Sequence, residues 1–143
     1  MRNFTLAEQD MTAINSIVSK LQKYPEINYE IDNDTINIQP TTDDGFLVWL
    51  TETDHGLTVG FEGWHAHLQL EEEEDALNLF ALGLNEDCRL KVSRKGTSEY
   101  KWTPEMKDEN GWSHIGTIWL LFFPFWKKNR DKYFTNTYIK TNS

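Results

Sequence analysis

GLTVGFEGWHAHLQLEEEEDALNLFALGL, residues 56–84, is the stretch on which the fold turns. Leu57, Val59 and Phe61 share one side of an extended chain, and Thr58, Gly60 and Glu62 share the other. That period of two predicts a half-buried strand. The period changes at Glu71. Five consecutive acids, Glu71 to Asp75, precede Leu77, Leu79, Phe80, Ala81 and Leu82, which predicts a helix over 71–82. The acids suit its first turn, where unpaired N–H groups carry partial positive charge. The apolar half leaves almost no polar face, so burial on several sides is expected. Gly83-Leu84 reads as a Schellman-type stop.

On the N-terminal side, 46–53 and 57–62 read as a hairpin closed by Asp54-His55-Gly56. Before it, Ile27, Tyr29 and Ile31 alternate, Asn33-Asp34 turns the chain, and Ile36 and Ile38 continue on a second strand. The chain opens with a capping box at Thr5-Leu6-Ala7-Glu8 and a helical stripe of Ala7, Met11, Ile14, Ile17, Val18 and Leu21, stopped by Pro25. On the C-terminal side Cys88, Leu90 and Val92 point inward from a strict alternation, and 99–106 returns after Lys95-Gly96-Thr97. Residues 112–123 read as one long strand ended by Pro124, and 133–139 as a last one. The sum is a single α+β domain over 1–143. It is a strongly curved antiparallel sheet of about seven to eight strands with two helices packed on one face.

Aromatics make up 13% of the chain, so a few large rings can replace the aliphatic area that a 38% hydrophobic content leaves short. Trp49, Trp64, Trp102, Trp112, Trp119 and Trp126 need partners for their indole N–H groups or a place at the surface. An aromatic sheet face that binds a partner is therefore one expectation. The net charge of −9 divides unevenly: residues 1–86 carry −14 and residues 87–143 carry +5. An acidic majority excludes the dominant basic field that nucleic-acid binding needs. The lone Cys88 excludes an internal disulfide, and with no signal-type segment it points to a reducing, cytoplasmic setting. The apolar run Ile118 to Trp126 is about half the length of a membrane span, and Pro124 interrupts it, so no membrane role is expected.

No P-loop, dinucleotide fingerprint or G-x-S-x-G elbow is present, no catalytic residue is assigned and no cofactor is expected. His65 and His67 stand two apart, which on an extended chain puts both imidazoles on one side, as in metal-binding H-x-H pairs. Glu62 could add a carboxylate and Trp64 a wall. Yet a stable site needs three or four ligands, Cys88 points inward and His55 sits at a hairpin tip. Backbone hydrogen bonding at a strand-to-helix corner is the plainer reading of the two histidines. Glu71, Glu72, Glu73 and Glu74 are contiguous, unlike the spaced oxygens of a cation loop, and read as a solvated first turn.

Gly63-Trp64-His65-Ala66-His67, Phe80-Ala81-Leu82-Gly83-Leu84, Cys88-Arg89-Leu90-Lys91-Val92, Tyr100-Lys101-Trp102-Thr103 and Leu121-Phe122-Phe123-Pro124-Phe125-Trp126 together resemble a family of small bacterial proteins of unknown function. The resemblance spans roughly residues 45 to 130. It implies a bacterial cytoplasmic protein and brings no activity, cofactor or site with it. The leading expectation is a soluble, non-enzymatic module that binds another protein, in the manner of immunity proteins, antitoxins or secretion chaperones. Glu62 and Glu71 to Glu74 would attract a basic partner. A homodimer through an aromatic edge strand is a further possibility. The alternative is a small-ligand or metal-binding domain built on Glu62, Trp64, His65 and His67.

Overall fold

The computed structural model of the chain describes residues 12–119 and 124–139. In chain order it runs α1 (Thr12–Leu21), β1 (Glu30–Asp32), β2 (Thr35–Ile38), β3 (Val48–Thr53), β4 (Gly56–Phe61) and β5 (Trp64–Leu68). A 3-10 turn (Leu70–Glu72) leads into α2 (Glu73–Gly83), followed by β6 (Cys88–Lys95), β7 (Ser98–Asp108), β8 (Gly111–His114), β9 (Ile118–Trp119) and β10 (Asn129–Thr135).

The class is α+β, but the strands form two antiparallel sheets instead of one curved sheet. The first is the meander β1-β2-β3-β4-β5. The second has the order β10-β6-β7-β8, with β9 also on β7. The division has two causes, one local and one not. Residues between Leu68 and Cys88 are mostly helical, so β6 starts away from β5, and its free edge is taken by β10 from Asn129↔Lys95 to Thr135↔Arg89.

Alternation sets the core of the first sheet. The pairs Val48↔Phe61, Leu50↔Val59, Ile36↔Leu50 and Phe61↔Trp64 put all of these side chains on one buried face. Both helices lie against this sheet and touch each other. From the second sheet Cys88, Leu90 and Val92 join the same continuous cluster. Phe61 is central to it, 5.5 Å from the Phe46 ring and stacked on Trp64 at 5.1 Å. A ring buried this completely contributes about 1.5–3 kcal/mol.

Several expected elements end elsewhere. Within the described residues the long strand expected over 112–123 is interrupted between β8 and β9, where Gly116 adopts φ +153°. Gly116 lies under Trp64: a Cβ there would meet the indole Nε1 at 3.4 Å. Residues 120–123 and the Thr5-to-Glu8 capping box lie outside the described residues. The strand expected around Ile27 to Ile31 shrinks to Glu30–Asp32, with Tyr29 and Ile31 exposed. The last strand starts at Asn129, ahead of the expected 133. Gly83 is not a left-handed stop either. It sits inside α2, and Leu84 and Asn85 close the helix by donating to Ala81 and Leu82 carbonyls at 3.0 Å. What Gly83 supplies is room, since a Cβ would lie 2.4 Å from the Phe61 ring.

Two buried polar side chains tie the layers together. Glu52 on β3 accepts the first-turn amides of α1, Ala13 N–H at 3.0 Å and Ile14 N–H at 3.1 Å, using one carboxylate oxygen for each. Asn136, just past β10, accepts Phe46 N–H at 3.1 Å and donates to the Phe46 and Gly83 carbonyls at 3.0 and 2.9 Å. Asn136 thus fastens the C-terminal segment to the start of β3 and the end of α2.

Burial raises the Glu52 pKa above the usual carboxylate value, the two helix amides oppose that shift, and the nearby Glu73 charge adds to it. A carboxyl whose folded pKa is raised contributes stability that is complete below its unfolded value of about 4.3 and is lost as pH rises through the folded value. The stability of the wild type relative to Glu52→Gln is therefore expected to fall from about pH 4 upward. Thermal melts of both proteins across that range check it, and a difference independent of pH would refute it.

Candidate functional site

The corner at 60–68 is a fifth strand, not a direct handover to a helix. Phe61 and Trp64 pair across a two-residue turn, Glu62-Gly63, and Glu62 takes φ +51°, a left-handed conformation that costs a non-glycine residue about 1 kcal/mol or more. Three hydrogen bonds hold it there. Glu62 N–H donates to the Leu47 carbonyl at 2.9 Å, its Oε1 accepts Leu47 N–H at 2.8 Å, and its carbonyl accepts Trp49 Nε1–H at 3.4 Å.

The two glycines of Gly60-Phe61-Glu62-Gly63 each lie under an indole. A Cβ on Gly60 would fall 1.9 Å from Trp49 Cε2, and one on Gly63 would fall 2.6 Å from Trp102 Cε2. Neither has a left-handed φ, so close approach is the reason for glycine at both positions.

Strand alternation separates the residues that the sequence grouped at this corner. Trp64 is 5% exposed and faces the core, while His65 and His67 point outward from the opposite face. Trp64 therefore cannot wall a pocket with them. The two imidazoles are 5.1 Å apart, His65 lies 6.4 Å from the Trp49 ring, and His67 Nδ1 shares a hydrogen bond with the Thr58 hydroxyl at 3.0 Å. Because β5 runs back along β4, the hairpin tip brings His55 into a shared depression of about 190 Å³ with His67. Even so, among the described residues no three His, Cys, Asp or Glu side chains are grouped to hold a metal ion.

Two of the acids have structural partners. Glu72 Oε1 accepts Gln69 N–H at 2.8 Å, and Glu73 Oε1 accepts the Thr12 hydroxyl at 2.7 Å, which joins the starts of the two helices. Glu71 and Glu74 are exposed at the same end. Cys88 is fully buried, and burial pushes its thiol up to about 12, far from the thiolate that a nucleophile needs.

The densest grouping of recognition side chains is elsewhere, on the outward face of the second sheet. Leu90 and Val92 of β6 point into the core, so Arg89 and Lys91 point out. Arg89 lies between two rings, its Cζ 4.1 Å from the Trp112 centroid on β8 and 4.2 Å from the Tyr133 centroid on β10. Its Nε–H donates to Glu105 Oε1 on β7 at 2.6 Å. The guanidinium is thus clamped from three sides by three different strands, while Trp112 and Tyr133 stay 36% and 44% exposed. Stacking of this kind contributes about 0.5–2 kcal/mol per ring and orders the side chain in advance. The aromatic content pointed to a binding sheet face with Trp112 among its candidates, but not to Arg89, Glu105 or Tyr133, whose partnership comes from sheet pairing. For Arg89 the signal was the strict alternation of Cys88-Arg89-Leu90-Lys91-Val92, which put it on the polar side.

No protein-family model, curated protein or solved structure matches the chain.

Proposed function

We infer that this chain is a non-enzymatic module that binds another protein through the outward face of its second sheet. The observation that carries the reading is Arg89 held between Trp112 and Tyr133. Trp, Tyr and Arg are the residues most enriched among interface hot spots, and a pre-ordered cluster loses little side-chain entropy on binding. Around it Arg89, Lys91, Lys101 and Lys107 outnumber Glu105 and Asp131 on the same face. The partner surface that fits is acidic, opposite in sign to the basic partner suggested by Glu71 to Glu74. Of those acids, at the helix start, Glu72 and Glu73 already hold the fold, as does Glu62 at the β4–β5 turn. The setting we assign, following the family resemblance, is the bacterial cytoplasm, in a role of the immunity, antitoxin or chaperone kind.

Trp112→Ala and Tyr133→Ala test this. Both side chains are partly exposed, so each variant is expected to fold, with a loss no larger than the roughly 0.5–2 kcal/mol of its stack on Arg89. Each is expected to weaken retention of the partner by at least about 30-fold, the effect of losing a 2 kcal/mol hot spot. Retention by the double variant equal to that of the wild type would refute the reading.

A further inference from the structure

A cleft of about 610 Å³ lies between the two sheets, within the size range of small-ligand sites. One wall comes from the first sheet's loops, with Pro40, Asp43 and the Glu62-Gly63 turn. The other comes from Val92, Trp102 and Phe134 of the second sheet, with Arg94 and Glu99 near its hairpin end. Alternation places Val92, Trp102 and Phe134 on the side of that sheet opposite Arg89, Lys101 and Tyr133. The cleft is therefore separate from the proposed partner face.

Its lining combines aromatic and apolar walls with an excess of negative charge. Asp43, Glu62 and Glu99 contribute three carboxylates against the guanidinium of Arg94 and the ammonium of Lys132, which lies 4.8 Å from the Phe134 ring centroid. Arg94 already donates from Nη2 to Glu99 at 2.8 Å. Glu62 gives one oxygen to Leu47 N–H, which leaves the other available. Trp102 packs closely against Gly63, where no Cβ intervenes.

We propose that this cleft binds an organic cation: an alkylammonium group whose apolar stem packs on Trp102 and Phe134 and whose charge is met by Asp43 and Glu62. An ammonium beside an indole and two carboxylates gains both cation–π and charge attraction, and the partly enclosed walls reduce screening by solvent. The opposing feature is the Nε of Arg94, which is buried without a partner and would favour an anion. The experiment is built to separate the two.

Butylammonium, the isosteric anion butanoate and Nα-acetyl-lysine amide are titrated into the ¹⁵N-labelled full chain. Butylammonium is expected to give saturable shifts at the Trp102 indole N–H and the Gly63 amide, with a dissociation constant of about 1–10 mM. Asp43→Asn, an exposed loop substitution that leaves the fold intact, is expected to weaken this by about fivefold. Tighter binding of the lysine amide than of butylammonium assigns the ammonium to a protein side chain, and the reverse order assigns it to a free amine. Saturable binding of butanoate at the same signals, no saturable shift with either ammonium probe, or no change in Asp43→Asn would overturn the proposal.

Discussion

Asn136→Ala is expected to lose about 3–5 kcal/mol of folding stability, up to roughly half of what a domain of this size possesses. Asn136 is 4% exposed, and its amide makes three hydrogen bonds to backbone groups of two other segments. Truncation leaves the Phe46 N–H and the Phe46 and Gly83 carbonyls without that partner in a region closed to water. A buried backbone group left unpaired costs about 1–3 kcal/mol. Asn136→Asp is expected to be no better, because a carboxylate cannot donate to the two carbonyls now served by Nδ2 and would face them with negative charge. Urea unfolding reads this as a fall in midpoint with unchanged slope. A loss below about 1 kcal/mol would show that the segment after β10 is not fastened through this side chain.

Gly60→Ala is expected to cost about 2–4 kcal/mol, near the upper end of overpacking substitutions. The added methyl would fall 1.9 Å from Trp49 Cε2 and 2.2 Å from Cζ2 and Nε1, so the indole must leave the surface of β4. Its hydrogen bond to the Glu62 carbonyl would break with it. The cause is steric, so it has a specific signature. Trp49→Ala in the Gly60→Ala background should recover most of the loss, giving a coupling of about 1–3 kcal/mol in a double-mutant cycle. Additive effects would mean that Gly60 is needed for a reason other than Trp49.

These two residues also show where sequence patterns stop being informative. The alternation of Leu57, Val59 and Phe61, that of Cys88, Leu90 and Val92, and the acid-led helix before Phe80 were all readable, because each is a local period. Gly60 and Gly63 were visible, but the indoles above them come from β3 and β7. Asn136 acts on a residue 90 positions away, and no local pattern announces that. Glu52 sat in an apparently ordinary strand although it closes the first turn of α1. The division into two sheets depended on β10 pairing with β6, a non-local choice that strand propensities leave open.

At the candidate site the limits were similar. His65 and His67 share a side of an extended chain, which the spacing offered only on condition that the strand continued. The plainer reading, backbone hydrogen bonding at a strand-to-helix corner, gives way to a strand on which both are exposed and His67 meets the Thr58 hydroxyl, with Trp64 on the other side. The acids of 71–74 were legible as a helix start, but Glu73 finding Thr12 was not. Arg89, Glu105, Trp112 and Tyr133 come from four strands and meet only after the second sheet is assembled.

The central claim is that the Arg89 face of the second sheet is the contact surface. A photoreactive benzoylphenylalanine at Lys107, which pairs with Trp112 on that face, tests it against the same probe at Asn37, on the outer face of the first sheet. Irradiation in cells is predicted to give a discrete adduct with an acidic protein from position 107 and none from position 37. An adduct from position 37 alone, or equal adducts from both, would contradict the account.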